Sequence, residues 1–144
     1  MSVEVNISEI EKLANILNSF CLSGNQKMSL LHDLGVEVRE QTLDRFDIET
    51  DPEGKSWKKL ADATSRYKNK ICSGGILERE GFLKDTISVK VIDENSVFIR
   101  SPMHYAGFHQ EGTSTIPARR FLGVCQNNIS ELANVMNRWI SNHV

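Results

Sequence analysis

The chain has 144 residues, a formal charge of −2, 40% hydrophobic and 25% charged residues. That length suits one domain able to bury roughly two-thirds of its unfolded surface, so neither disulfides nor a structural metal is required for a core. Its apolar runs last only a few residues, against about 20 needed to cross a bilayer, and the start "MSVEVNISEIEK" has neither the basic nor the apolar stretch of a secretory signal. The mild net charge gives no global reason to expect nucleic-acid binding. Cys21, Cys72 and Cys125 are odd in number and widely spaced, which predicts buried free thiols in a reducing compartment.

In chain order, Ser8 with Glu11 forms a capping box, and Ile10, Leu13, Ala14, Leu17 and Phe20 recur at helical spacing, predicting a helix over Ser8–Leu22 that stops at "SGN". A second helix is predicted from near Met28 to Asp47, about 30 Å long, with Leu31, Leu34, Val38 and Phe46 on one side. Gly35 inside it predicts close helix packing. "TDPEGKSW" then breaks the helix: Pro52 disfavours helical geometry at Asp51, Gly54 suits a turn, and Trp57 and Leu60 follow as anchors. Asp51, Pro52, Gly54 and Trp57 are thus read as a fold-determining corner, with Trp57 against the long helix near Phe46. Asp62 or Thr64 caps a short helix through Tyr67, "CSGG" is punctuation, and "ILEREGFLKDT" gives a helical turn or two.

Thr86–Ile92 alternates, with Ile87, Val89 and Val91 on one face; "DEN" turns, and Ser96–Ser101 returns as the second strand of an antiparallel hairpin. "TIPARRFLGV" reads as a further extended segment confined by Pro117 to an edge or arm. Asn128 caps a last helix with Ile129, Leu132, Ala133, Met136 and Ile140 as its buried stripe. The fold class is α+β: a small antiparallel sheet packed by N-terminal helices and a C-terminal helix, in one domain spanning 1–144.

Charge is unevenly distributed. Glu37 to Glu53 holds seven acids against two bases, net −5; Gly54 to Lys70 holds six bases against one acid, net +5. Two solvated faces, or poles suited to head-to-tail contact between copies, both fit. Lys55, Lys58, Lys59, Arg66 and Lys68 are candidate contact or DNA-facing residues, although only Trp57 and Tyr67 interleave them.

Catalytic readings are thin. His104, His109 and Glu111 precede a glycine, but His104 and His109 are five apart and diverge by about 140° on a helix. His32 and His143 lie in predicted helices, leaving no clear third ligand, so no metal site is expected. There is no G-x-S-x-G elbow, and Gly74-Gly75 lacks a following G-K-[ST]. No enzymatic activity and no cofactor are expected; a small hydrolase using His109 and Glu111 is the residual enzyme reading.

Four blocks in order, "RF…DPEGKSWKKLADAT" (45–64), "ILEREGFLKDTI" (76–87), "YAGFHQEG" (105–112) and "IPARRFLG" (116–123), resemble the phage virion morphogenesis family of tail-completion proteins. The likeness covers about residues 28–143. Its D-P-x-G-x-x-W pattern falls on Asp51, Pro52, Gly54 and Trp57, and I-P-x-R-x-F-L-G on Ile116, Pro117, Arg119, Phe121, Leu122 and Gly123; Arg120 stands where proline is more usual. The resemblance implies a structural protein of the virion neck or tail end acting in head–tail joining, as a ring of identical subunits, hexamer or dodecamer, around the DNA channel. Its partners would be itself, other neck, tail-tube or head-completion proteins, and DNA passing without sequence-specific binding, with no membrane. It would be made in the host cytoplasm and end in the virion. On this reading Pro117, Arg119, Phe121 and Leu122 form an exposed self-assembly arm, the alternative being that Phe121 and Leu122 are core of the subunit itself; the rival function is a nucleic-acid-binding module using 55–70.

Overall fold

The computed structural model describes residues 15, 18–71, 74–78 and 81–143. The predicted Ser8–Leu22 helix lies outside the described residues except for its end, where Asn15 and Asn18 are helical and the chain turns through Ser19–Cys21. The elements are α1 (Gly24–Ile48), α2 (Asp62–Ile71), α3 (Phe82–Asp85), β1 (Ser88–Asp93), β2 (Ser96–Arg100), α4 (Ala106–Glu111) and α5 (Gln126–His143). β1 and β2 form a two-stranded antiparallel hairpin, so the class is α+β as expected.

α1 begins four residues before the expected Met28. Ser23 and Gln26 explain why: the Ser23 backbone N–H donates to Gln26 Oε1 at 2.9 Å, and the Gln26 N–H donates to Ser23 Oγ at 3.3 Å. This reciprocal box satisfies two of the orphan donors of a helix N-terminus. At the other end Glu49 takes φ 56°, and the Thr50 N–H returns to Arg45 O at 3.3 Å, closing the helix in a Schellman manner.

The chain divides into two compact units. The first comprises Thr42–Ser88 and Arg100–Gly123. The second comprises the described residues of Ser2–Gln41, Val89–Ile99 and Val124–Val144.

In the second unit, Leu22 and Leu30 pack with Met136 and Trp139 of α5, flanked by Leu34 and Ile140. Trp139, absent from the expected stripe, is the largest of these, and its indole N–H reaches Ser29 Oγ at 3.3 Å. α5 starts at Gln126 rather than at Asn128. Cys125 is the cap residue, its carbonyl accepting the Ile129 N–H, while Asn128 Oδ1 accepts the Cys125 N–H at 3.0 Å. Asn128 therefore supplies the back-reaching half of a capping box from inside the helix.

Gly35 makes a close approach, but to the hairpin and not to another helix. A Cβ built there would lie 2.5 Å from Val89 Cγ1 and 2.9 Å from Val97 Cγ2. Both neighbours are β-branched and stiff, so neither yields cheaply. The sheet-facing side of α1 is thus admitted by the missing side chain.

Two further expectations change. The "TIPARRFLGV" run is irregular and pairs with no strand among the described residues, for reasons that appear below. Cys21 is exposed rather than buried, and Cys125 is half-buried; both are free thiols.

Gly35→Ala tests the packing argument. Helix propensity alone favours Ala by up to about 1 kcal/mol, whereas overpacking costs about 1–3 kcal/mol. The expected result in urea unfolding is a net loss of stability, recovered when Val89→Ala is added. A gain from Gly35→Ala alone would show that α1 and the hairpin are not in contact at this point.

Candidate functional site

The corner "TDPEGKSW" is a four-residue turn with its own internal bonding. Asp51 O accepts the Gly54 N–H at 3.0 Å and Asp51 Oδ1 the Lys55 N–H at 2.9 Å, while the Asp51 N–H donates to Lys55 O at 2.8 Å. Asp, Pro and Gly occupy the first, second and fourth places, the residue preferences of a type I turn. The chain leaves the turn through an antiparallel bridge between Thr50 and Ser56 and delivers Trp57 into the interior. There Phe46 holds two rings: Trp57 edge-on at a centroid distance of 5.6 Å and 84°, and Phe121 tilted at 5.6 Å and 56°. Such edge-to-face pairs add about 0.5–1.5 kcal/mol beyond area burial.

This geometry corrects the expectation of an exposed arm. Phe121 has 0% of its surface exposed, Leu122 and Arg119 are buried, and Pro117 is half-buried. They belong to the interior of their own unit. The physical difficulty is that a buried segment outside any sheet carries backbone groups that water cannot reach. Side chains from distant parts of the chain satisfy them one by one. The Trp57 indole N–H donates to Arg120 O at 2.8 Å. Arg45 donates to Phe121 O at 2.8 Å. Gln110 of α4 works in both directions: its Nε2 donates to Leu122 O at 2.7 Å, and its Oε1 accepts the N–H groups of Phe121 at 3.1 Å and Leu122 at 3.0 Å. The Arg119 N–H donates to His109 O at 2.7 Å.

Arg119 itself reverses the arrangement. Its guanidinium donates through Nε to Lys58 O at 2.7 Å and through an Nη to Lys59 O at 3.2 Å, not to a neighbour's carboxylate. Burial pushes its pKa down, yet an arginine stays charged. Gly123 completes the clasp. With φ 149°, a Cβ there would stand 2.8 Å from Pro52 Cγ, so the corner and the 116–123 segment fit together only because that side chain is missing.

Arg120, where a proline is more usual, points its side chain at Glu53, with both oxygens 3.3 Å away. The two groups are about half exposed, so the pair adds little stability. Arg45 and Gln110, the two residues that carry most of the clasp, were not singled out from sequence as polar anchors. Their partners lie 76 and 12 residues away, and no local pattern encodes that distance.

The His/Glu trio does not read as a catalytic group. His104 is exposed just before α4 and Glu111 is exposed as its last residue, whereas His109 is half-buried. Its Nδ1 is buried with no hydrogen-bond partner. Burial, and then the charge of Arg119, hold its pKa below the ordinary value. Among the described residues, no three His, Cys, Asp or Glu side chains are grouped to hold a metal ion.

The basic segment divides. Lys55, Lys58, Lys59 and Arg66 are exposed, as is Lys70, but Lys68 is buried and so is corrected as a candidate contact. The exposed members of α2 sit beside a shallow hollow lined by Ala63, Arg66, Tyr67, Asn69 and Lys70, with Tyr67 57% exposed. The acidic block is largely spoken for: Asp47 meets Lys84 at 2.7 Å, Glu53 meets Arg120, and Glu49 accepts the Ile76 N–H at 2.8 Å. None of the exposed lysines and arginines of 55–70 is within ion-pair distance of a carboxylate among the described residues.

Comparison with known proteins gives one consistent direction. The sequence profile described as the phage virion morphogenesis family matches residues 8–141. A Haemophilus influenzae protein described as "Mu-like prophage FluMu G protein 1" is 34% identical over 107 residues, covering 72% of this chain and 73% of its own. No solved structure matches. No helix among the described residues is long and apolar enough to cross a membrane.

Two measurements test the clasp. Gln110→Leu keeps the bulk but leaves three buried backbone groups unpaired, at about 1–3 kcal/mol each. Its expected effect is a loss of at least about 3 kcal/mol in chemical denaturation; a change below about 1 kcal/mol would mean that water reaches the segment. The second concerns pH. Because His109 binds its proton less readily when folded, acidification through about 6.5 favours the unfolded chain. Stability is therefore full above that value and falls below it, levelling once pH drops under the folded pKa. Relative to His109→Gln, the wild type should lose up to about 1.4 kcal/mol per pH unit in that window; parallel stability profiles for the two chains would refute the assignment.

Proposed function

This chain belongs to the phage virion morphogenesis family, and from that premise we propose that it is a structural virion protein acting in head–tail joining or tail completion. It works as a homo-oligomeric ring at the neck, around the channel through which DNA passes without being read. The observation that carries this reading is the family match over residues 8–141, together with the relative named for a Mu-like prophage. Two features support it. The residues matching the family's patterns, Trp57, Arg119, Phe121 and Leu122, are spent on building the interior of the first unit. Of the titratable groups of 104–111, His104 and His109 pack against Tyr105 and His109 Nδ1 is turned inward, so on this reading the work of the protein is to present surfaces and not to transform a substrate. Its partners on this reading are copies of itself and the neighbouring neck, tail-tube or head-completion proteins.

The test is genetic and visual. A phage or prophage lacking this chain should yield filled heads and separate tails by electron microscopy, with infectious titre lowered by several orders of magnitude and restored by supply in trans. Wild-type titre without the chain would overturn the proposal. So would lysates containing no heads or tails at all, which would place the chain upstream of assembly.

A further inference from the structure

We infer that the ring contact is heterologous and electrostatic: the α2 face carrying Arg66, Tyr67 and Lys70 of one copy seats in the α1–α5 hollow carrying Asp33 and Glu37 of the next. This rests on the ring reading above and names its surfaces.

The first surface lies on the first unit. Ala63, Arg66, Tyr67 and Lys70 are spaced i, i+3, i+4, i+7, so they share one face of α2. That face offers an exposed phenol ring between two cations, beside the hollow already described. A ring exposed to this extent and flanked by arginine is the composition enriched at the centres of protein contacts.

The second surface lies within the second unit. α1 and α5 bound a hollow of ≈ 320 Å³ lined by Asp33, Val36, Glu37, Val135, Arg138 and Trp139, among others. Asp33 and Glu37 are one helical turn apart on α1; Asp33 lies 3.5 Å from His32 Nδ1, and Glu37 accepts the Gln41 Nε2 at 3.0 Å, each keeping its negative charge. Val36, Val135 and Trp139 supply its apolar lining, and the Trp139 ring stacks on His143 at 4.3 Å and 7°. A phenol ring flanked by cations matches that apolar lining beside the carboxylates of Asp33 and Glu37. Arg138 lines the hollow as well, and a cation beside the incoming Tyr67 ring is attracted to its face.

The charge of the two units agrees. Among the described residues, the first unit holds eleven Lys and Arg against nine Asp and Glu, net +2, and the second holds four against six, net −2. Copies that differ in this way attract unit to opposite unit and repel like to like. That favours contacts between unlike units, as in head-to-tail growth into a closed ring.

Charge-reversed variants test it. Arg66→Glu/Lys70→Glu makes both surfaces acidic, and Asp33→Lys/Glu37→Lys makes both basic. Circular dichroism confirms that each is folded, and light scattering at matched concentration gives the mass. Each variant alone should need at least about tenfold more protein than the wild type to assemble. An equimolar mixture should assemble again as an alternating ring, because each contact then joins opposite signs. If either reversal unfolds the chain, the neutral pairs Arg66→Gln/Lys70→Gln and Asp33→Asn/Glu37→Asn carry the same comparison, each raising the assembly concentration without mutual rescue.

Rings of unchanged mass and concentration dependence in all variants overturn the inference while leaving the ring reading standing. So does a reversal on α2 that leaves assembly intact but abolishes salt-sensitive retention on duplex DNA, which would assign that face to phosphates. A wild-type chain that stays monomeric at all concentrations, or phage that need no copy of it, removes the ring reading itself.

Discussion

A buried stretch of chain that forms no sheet must still bond every backbone N–H and carbonyl, and the first unit is organised around that requirement at 119–122. Arg45, Trp57 and Gln110 come from α1, from the corner and from α4, and each ends on the same four residues. Three elements are thereby fixed in position by one irregular segment. The ring contacts of Phe46 with Trp57 and Phe121 fill the space among those bonds. Neither set suffices alone. Apolar packing without these side-chain donors and the Gln110 Oε1 acceptor would strand five backbone groups, at a cost exceeding what the rings return. The donors without the packing would be open to water and would contribute little.

This explains which parts of the fold were legible in the sequence. The hairpin, the turn at 51–54 and the existence of helices near 28–47 and after 128 follow from periodicity and turn chemistry, which act over a few residues. The long helix was assigned too short because Ser23 was taken with Gly24 and Asn25 as the stop of the preceding element; the Ser-x-x-Gln spacing from Ser23 to Gln26 was present and sufficient. Of its expected stripe, Phe46 is buried and Leu34 packs against the core, whereas Leu30 is buried in place of Leu31, and Thr42 and Arg45 add polar interior positions that an apolar period does not show. Gly35 was correctly marked as a close approach but assigned the wrong neighbour, since spacing on one helix does not say what faces it.

The candidate site was less legible, for a related reason. Pro117, Phe121 and Leu122 look like an arm because proline and large apolar residues in an extended run are what an exposed peptide would carry. What makes them interior is Gln110 and Arg45, and a glutamine or an arginine in a helix is ordinarily surface. Only a long-range pairing reveals otherwise. Lys68 was misjudged in the same way: it sits in a basic run, yet the helical period turns it inward while Arg66 and Lys70 stay out.

The distribution of the family's patterns along the chain then acquires a physical meaning. All four blocks, 45–64, 76–87, 105–112 and 116–123, fall inside the first unit. Within them, the named positions are those that close the clasp: the aromatic anchor, the inward arginine, and the glycine that admits Pro52. A clasp of this kind tolerates few substitutes, because each member satisfies a specific buried group. The surfaces that would meet another copy answer to a looser rule. Arg66, Tyr67 and Lys70 lie between two of the blocks, and Asp33 and Glu37 lie before the first. A contact built from charge and one aromatic ring can be re-paired by changing both sides together, as the reciprocal sign of the two units permits. Similarity in the patterned blocks therefore reports a shared first unit, while under the proposed contact the choice of which copies join would be written in residues that those patterns leave out.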